Sequence, residues 1–220
     1  MLALPLLLAT IAAACPANLA NGIETPATAR QLVTVEAKTA KTTHAMLRTW
    51  RRSGGCWVAV SRPLPARVGK NGVSANRREG DGTTPAGVFP IGRTMYGTEA
   101  DPGVSFRYRR LRCGDWWDED PSSPTYNSFQ HVRCGTSPPF RIVSEGMWEN
   151  PRAYPHLAVI EYNMRPVVPG RGSGIFLHAQ TGGPTIGCVS LAKDELRTVL
   201  RWLRPGEAPM IAIGTTTQLR

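Results

Sequence analysis

Glycine and proline punctuate this chain from end to end: twenty-two glycines and nineteen prolines fall along 220 residues without a period. That spread excludes a collagen-like repeat and leaves only short segments between turns, which suits strands better than helices. A turn-rich, mostly β fold is predicted. The segments between the turns agree with it. QLVTVEAK, residues 31–38, alternates apolar and polar residues as a half-buried strand does. THAMLRTWRR and CWVAVS flank Ser53, Gly54 and Gly55 and predict a hairpin. TPAGVFPIG predicts an edge strand, because its prolines withhold ladder donors. Residues 93–155, rich in Trp, Tyr, Asp, Pro and Gly, are expected to form long loops over the sheet. HLAVIEYN and SGIFLHAQ are near-continuous apolar runs that suit buried strands. One helix stands out near the C-terminus. AKDELRTVLRWLRPG sets Leu196, Val199, Leu200 and Leu203 on one face, carries Asp194 and Glu195 in its first turn, and stops at Pro205 and Gly206. PMIAIGT reads as a last strand, and no repeat or linker divides the chain, so one domain over residues 30–214 is expected.

Residues 1–14, MLALPLLLATIAAA, carry no charged side chain and end in small residues. A secretory signal over residues 1–20 is predicted, with a buried N-terminal segment as the alternative. A stable membrane span is not expected: the run is interrupted at Pro5 and Thr10 and stops at Pro16, short of the ~20 apolar residues a span takes. Lipid attachment at Cys15 is a further alternative, although Ala12 stands where a lipobox prefers leucine. No charged side chain precedes Glu24, so the formal net charge of +10 survives cleavage. A basic exported protein finds its counter-surface in anionic wall polymers or anionic headgroups. Nucleic acid is disfavoured as a partner, since the arginines scatter through predicted strands and turns instead of clustering on one helix.

Five cysteines are an odd count and leave at least one thiol over. Cys113 and Cys134 bracket a turn-rich segment and make a loop-closing disulfide in an oxidising compartment. Cys56, between Gly55 and Trp57, reads as a buried small hydrophobe. Cys188 is then the free thiol to explain. It lies ten residues after His178, one of four histidines, in FLHAQTGGPTIGCVSL. A cysteine attacks as its thiolate and titrates near ~8.5 when free, so a neighbouring imidazole that accepts the proton and stabilises the ion pair activates it. Adjacent antiparallel strands joined by the TGG bend would bring the two side chains together. Gly187 lets the N–H groups of Ile186, Gly187 and Cys188 turn toward an oxyanion. These residues point to acyl transfer. A packed core thiol beside a satisfied histidine is the bland alternative. A metal site at His131, Cys134 and Cys113 is weaker, since a disulfide explains its cysteines. No G-x-S-x-G elbow is present.

IFLHAQTGGPTIGCVSL resembles the signature of the L,D-transpeptidase catalytic domain (YkuD-like). RQLVTV, WRRSGGCWVAV, PARVGKNG, REGDGTTPAGVFPIG, SPTYNS, VIEYN and VPGRGSGIFLH follow in the order of one secreted bacterial branch of that family, so the resemblance covers roughly residues 30–213. It implies a β-sandwich, Cys188 as nucleophile, His178 as base held by the Ala179 carbonyl, and an oxyanion hole at Ile186, Gly187 and Cys188. No cofactor and no metal are expected. The box departs from the family at Ile186, where a histidine is usual, and at Ser190, where Asn or Arg is usual. The implied reaction attacks the bond between the diamino acid and D-alanine of a peptidoglycan tetrapeptide stem and passes the acyl group to an amine, forming a 3,3 cross-link. With water as acceptor the same site is an L,D-carboxypeptidase. A catalytically silent wall-binding protein is the non-enzyme alternative, and a sortase-type acyl transferase fits poorly because Arg197 falls on the helix. Tyr162, Asn163 and Thr185 are candidate substrate contacts. Residues 77–85, with Arg77, Arg78, Glu79 and Asp81, form a polar loop that either reaches the stem or is merely solvated. The partners expected are stem peptides and anionic wall polymers, and the chain is expected to act as a monomer.

Overall fold

The computed structural model describes residues 14–141 and 144–219, so most of the apolar run behind the predicted signal lies outside the described residues. Strands β1 (Gln31–Ala37), β2 (His44–Ser53) and β3 (Cys56–Ala59) form the predicted opening, with the hairpin at Gly54 and Gly55. β4 (Leu64–Arg67) follows, and two short strands, β5 (Val73–Ser74) and β6 (Thr84–Pro85), bracket the polar loop. β7 (Gly87–Gly97) and β8 (Arg107–Arg110) lead into three short strands, β9 (Asp115–Asp118), β10 (Ser128–His131) and β11 (Glu145–Gly146). β12 (Leu157–Ile160), β13 (Phe176–Ala179), β14 (Val189–Leu191), the helix α1 (Lys193–Trp202) and β15 (Met210–Thr215) complete the chain.

The mostly β expectation holds, as does the helix near the C-terminus. The main sheet runs β1-β15-β7-β12-β13-β14-β4-β2-β3, with β8 alongside β7. It closes on itself, because β2 gives one edge to β1 and shares the other between β4 and β3. Closure leaves few exposed strand edges. The predicted edge strand at residues 84–92 is corrected: β7 lies inside the sheet, between β15 and β12. Pro90 is tolerated there because it sits just past the end of β12, beside a bulge, where its carbonyl accepts from Glu161 N at 2.9 Å and no donor is required of it.

Side-chain parity explains the continuous apolar runs. On β12 and β13, Ala158, Ile160, Leu177 and Ala179 enter the main core with Val189 and Leu191 of β14 and Leu196, Val199 and Leu200 of α1. The intervening Leu157, Val159 and Phe176 face the other way, into a second cluster with Tyr96, Trp117, Met147 and Tyr154. That cluster is covered by a small sheet in the order β10-β9-β11. The segment expected to be loops therefore contains a second layer, held by the aromatic rings that its composition signalled. Trp117 and Tyr154 both meet Phe176 edge-on, at 5.0 Å and 5.7 Å.

The Cys113–Cys134 disulfide ties this layer together as predicted. It closes a loop of sequence separation 21, so the double variant Cys113→Ala/Cys134→Ala should lose about 3 kcal/mol. A thermal melt should show this as a fall on the order of 10 °C. Cys56 is corrected: it is bonded to Cys15 and is not a free buried thiol. The residues after Cys15 are fastened to the same place, Asn18 Nδ2 donating to Trp57 O at 3.0 Å and Trp57 N to Asn21 Oδ1 at 2.6 Å.

Candidate active site

His178 and Cys188 meet by a route other than the predicted antiparallel pair. β13 and β14 run parallel, with Leu177 opposite Val189 and His178 opposite Ser190. Extending that register by one residue puts Cys188 opposite Phe176, on the face that also carries His178. The connecting segment doubles back before β14 begins, held by Thr185 N donating to Val68 O at 3.0 Å and Lys70 N to Thr185 O at 2.7 Å. Both side chains line one cleft of about 630 Å³ between the main sheet and the small sheet.

His178 Nδ1 donates to the Ala179 carbonyl at 2.8 Å, which leaves Nε2 as the acceptor. The Tyr154 ring stands edge-on to the imidazole at 5.4 Å. Burial disfavours the imidazolium and lowers His178 to about 4, against the bonds to Ala179 and Ala153. The Cys188 thiol donates to Gly174 O and accepts from Phe176 N, each at 3.3 Å. Burial also pushes Cys188 up to about 12, with the Phe176 N–H and the Arg77 charge acting in the opposite direction. Burial therefore works against the ion pair expected at rest. A covered cleft penalises each charge separately.

The turn before Cys188 is built by Thr185, which is largely buried and lines the cleft. Its Oγ1 donates to Cys188 O at 2.6 Å and accepts from Gly187 N at 3.2 Å. The Gly187 N–H is thus already used. Among the described residues, the N–H groups of Ile186 and Cys188 have no protein acceptor. Ile186 itself is 71% exposed at the rim, so the residue replacing the usual histidine projects to solvent. Gly187 has φ +151°, and a β-carbon there would lie 2.5 Å from Arg77 Nη1 and 2.9 Å from Nη2. The Arg77 guanidinium is laid on the Gly187 backbone.

Arg77 comes from the loop between β5 and β6 and is only 5% exposed. The loop is organised, not simply solvated. Asp81 accepts from Arg78 N at 2.7 Å, Thr83 N at 2.8 Å and Thr83 Oγ1 at 2.7 Å, and pairs with Arg77 Nη1 at 3.4 Å. Burial works against the Asp81 charge, yet the Arg78 and Thr83 bonds hold its carboxyl below the ordinary value. Glu79 is anchored by Ser173 Oγ at 2.6 Å and by the Tyr126 hydroxyl.

Tyr162 and Asn163, expected to touch substrate, do not line the cleft. The Tyr162 hydroxyl donates to Arg171 O at 2.6 Å, and Asn163 folds the following turn through bonds to Val168 O and Gly172 O, both at 2.9 Å. Their link to the site is Asn127, from the SPTYNS stretch. It accepts from Trp117 Nε1 at 3.0 Å and Gly174 N at 3.1 Å, and donates to the carbonyls of Tyr162 and Asn163. The alternative metal cluster does not form: Cys113 and Cys134 are bonded to each other, and His131 Nδ1 sits 2.7 Å from Asp115 Oδ1.

Sequence reasoning missed the glutamates of the opposite wall, because they lie far along the chain from the box. Glu119, Glu145 and Glu149 line the cleft with Glu79. Burial raises Glu119 to about 8, and the charges of Glu145 and Glu79 add to it. Burial also raises Glu145, against the bond from the Tyr154 hydroxyl at 2.8 Å. Between its ordinary value of 4.5 and about 8, folded Glu119 holds a proton that the unfolded chain has lost. Stability contributed by this group therefore falls as pH rises through that window. Glu119→Gln should melt about 5 °C above the wild type at pH 9 and level with it at pH 4, as measured by calorimetry.

Residues 32–212 match the family described as the L,D-transpeptidase catalytic domain, YkuD. A comparison with the curated proteins finds no match. Among solved structures, the helical cell shape determining protein Pgp2 (K307A mutant) from Campylobacter jejuni is similar at 14% identity and a TM-score of 0.46, over 89% of this chain and 50% of that one. The chain thus spans half the length of that protein.

Proposed function

Because the chain belongs to the L,D-transpeptidase catalytic domain (YkuD) family, whose activity is on peptidoglycan, we propose that it is a cysteine acyltransferase acting on the tetrapeptide stem. The observation that carries this is the pairing of His178, its tautomer held by Ala179, with Cys188 on one face of adjacent strands at the floor of one cleft.

Since burial disfavours a charge on either group, attack and proton transfer are coupled. Cys188 Sγ bonds to the carbonyl carbon before the terminal D-alanine while its proton passes to His178 Nε2. The developing oxyanion is met by the N–H groups of Ile186 and Cys188. The C–N bond breaks, His178 returns its proton to the departing amine, and a thioester remains on Cys188. An amine then attacks the thioester, losing its proton to His178, and the sulfur leaves, taking that proton from His178 to restore the thiol. The glutamate wall favours an amine over water as acceptor, because Glu79 and Glu149 would draw an ammonium toward the cleft.

Export belongs to the same proposal. Two disulfides suit an oxidising compartment, and cleavage upstream of Cys15 would keep its bridge to Cys56. The formal charge of +10 suits attachment to anionic wall polymers. Incubating the protein with a tetrapeptide donor, with and without an acceptor stem, tests the reaction by product mass. A cross-linked dimer with D-alanine released is expected. A tripeptide alone would identify an L,D-carboxypeptidase. No D-alanine and no carbapenem adduct on Cys188 would leave only a wall binder.

A further inference from the structure

Arg77 carries a basic group into a cleft whose other charged walls are glutamates. Glu79, Glu119, Glu145 and Glu149 line it, and Arg77 is its one arginine or lysine among the described residues. The side chain is 4% exposed and only partly satisfied. Nη1 is used by Asp81 and the Thr83 carbonyl, whereas buried Nε has no partner and none is recorded for Nη2. Its place is made by two glycines: a β-carbon at 172 would come within 2.5 Å of Nε, and one at 187 within 2.9 Å of Nη2. An arginine buried with donors unused, next to the residue that precedes the nucleophile, is a built anion seat.

From this we infer that Arg77 binds the free α-carboxylate of a peptide's last residue, so that Cys188 attacks the bond one residue in from the end. The inference rests on the acyl-transfer reading above and adds its substrate rule: the ligand must end in a carboxylate. Geometry and charge agree on the direction. Gly187 is bonded to Cys188, so a carboxylate on the guanidinium leaves the preceding carbonyl within reach of Sγ and of the Ile186 and Cys188 N–H groups. Glu79 and Glu149, which also line the cleft, oppose a carboxylate placed near them. The polar loop thereby acquires a role, with Asp81 and Glu79 fixing the backbone from which Arg77 projects.

The test compares a tetrapeptide stem ending in D-alanine with the same peptide as its C-terminal carboxamide. In the wild type, kcat/KM for the acid should exceed that for the amide by about 10- to 100-fold, the range of a charged hydrogen bond. Arg77→Gln should bring that ratio close to one by slowing the acid alone, and Arg77→Lys should fall between. If Arg77 merely props Gly187, the variants slow both peptides equally, which overturns the inference. A second readout needs no turnover: protection of Cys188 from iodoacetamide, followed by mass. The acid should protect the wild type at about 10- to 100-fold lower concentration than the amide, and Arg77→Gln should abolish the difference. Failure of the acyl-transfer reading would appear as protection without turnover. Equal protection by acid and amide in the wild type would overturn the carboxylate seat, even were the variants unable to fold.

Discussion

Replacing Cys188 by alanine is expected to lower D-alanine release by about four to six orders of magnitude, with the circular dichroism spectrum unchanged. His178→Gln should fall nearly as far, and the double variant no further, because nucleophile and base act as one unit. The pH profile carries the sharper content. Burial lowers His178 to about 4. The imidazole is lost as a base only on protonation, so a depressed value moves that loss to more acidic pH. The acid limb of kcat/KM due to His178 should therefore lie below about pH 5 and not near the ordinary ~6.5. Cys188 is pushed in the opposite direction, to about 12, so its alkylation rate should still be climbing at about pH 9. A plateau in alkylation at neutral pH would mean that a thiolate is present at rest, and the coupled proton transfer proposed here would be wrong.

Gly187→Ala is the second large effect. The added carbon would meet Arg77 Nη1 at 2.5 Å, and φ +151° is a region that side chains rarely adopt. Relief requires moving the guanidinium or the turn that presents the Ile186 and Cys188 N–H groups. Either shift is on the order of an ångström, a misplacement that costs about 100-fold in rate, and loss of an oxyanion donor costs about 100- to 1,000-fold. The backbone strain should destabilise the chain by about 1–3 kcal/mol. The expected result is a fall in kcat of at least about 100-fold, with Cys188 still alkylated in full. Near-normal turnover in this variant would show that neither the turn nor Arg77 is held as tightly as the structure depicts.

Much of this was legible in the chain. The alternating and continuous apolar runs placed β1, β12, β13 and β15, the amphipathic stretch placed α1, and the turn residues placed the β2–β3 hairpin. The His178–Ala179 bond and the Cys113–Cys134 bridge were also foreseen. The errors share one cause. Pro90, Cys56 and Tyr162 were judged from their neighbours in sequence. What decides each is a partner 15 or more residues away, or a turn that only the folded chain closes: β12 and β15 beside Pro90, Cys15 beside Cys56, and Arg171 O for Tyr162.

By itself, then, the sequence determined which residues alternate between two buried faces and which side chains hold reactive atoms, because both are properties of local pattern and residue type. Only the tertiary structure decided that β13 and β14 run parallel, that Arg77 lies on Gly187, and that burial disfavours charge on thiol and imidazole. Strand direction depends on how the connection doubles back, and protonation on how much water the small sheet removes from the cleft. Both arise from contacts between segments far apart along the chain, and a local pattern of residues carries no record of them.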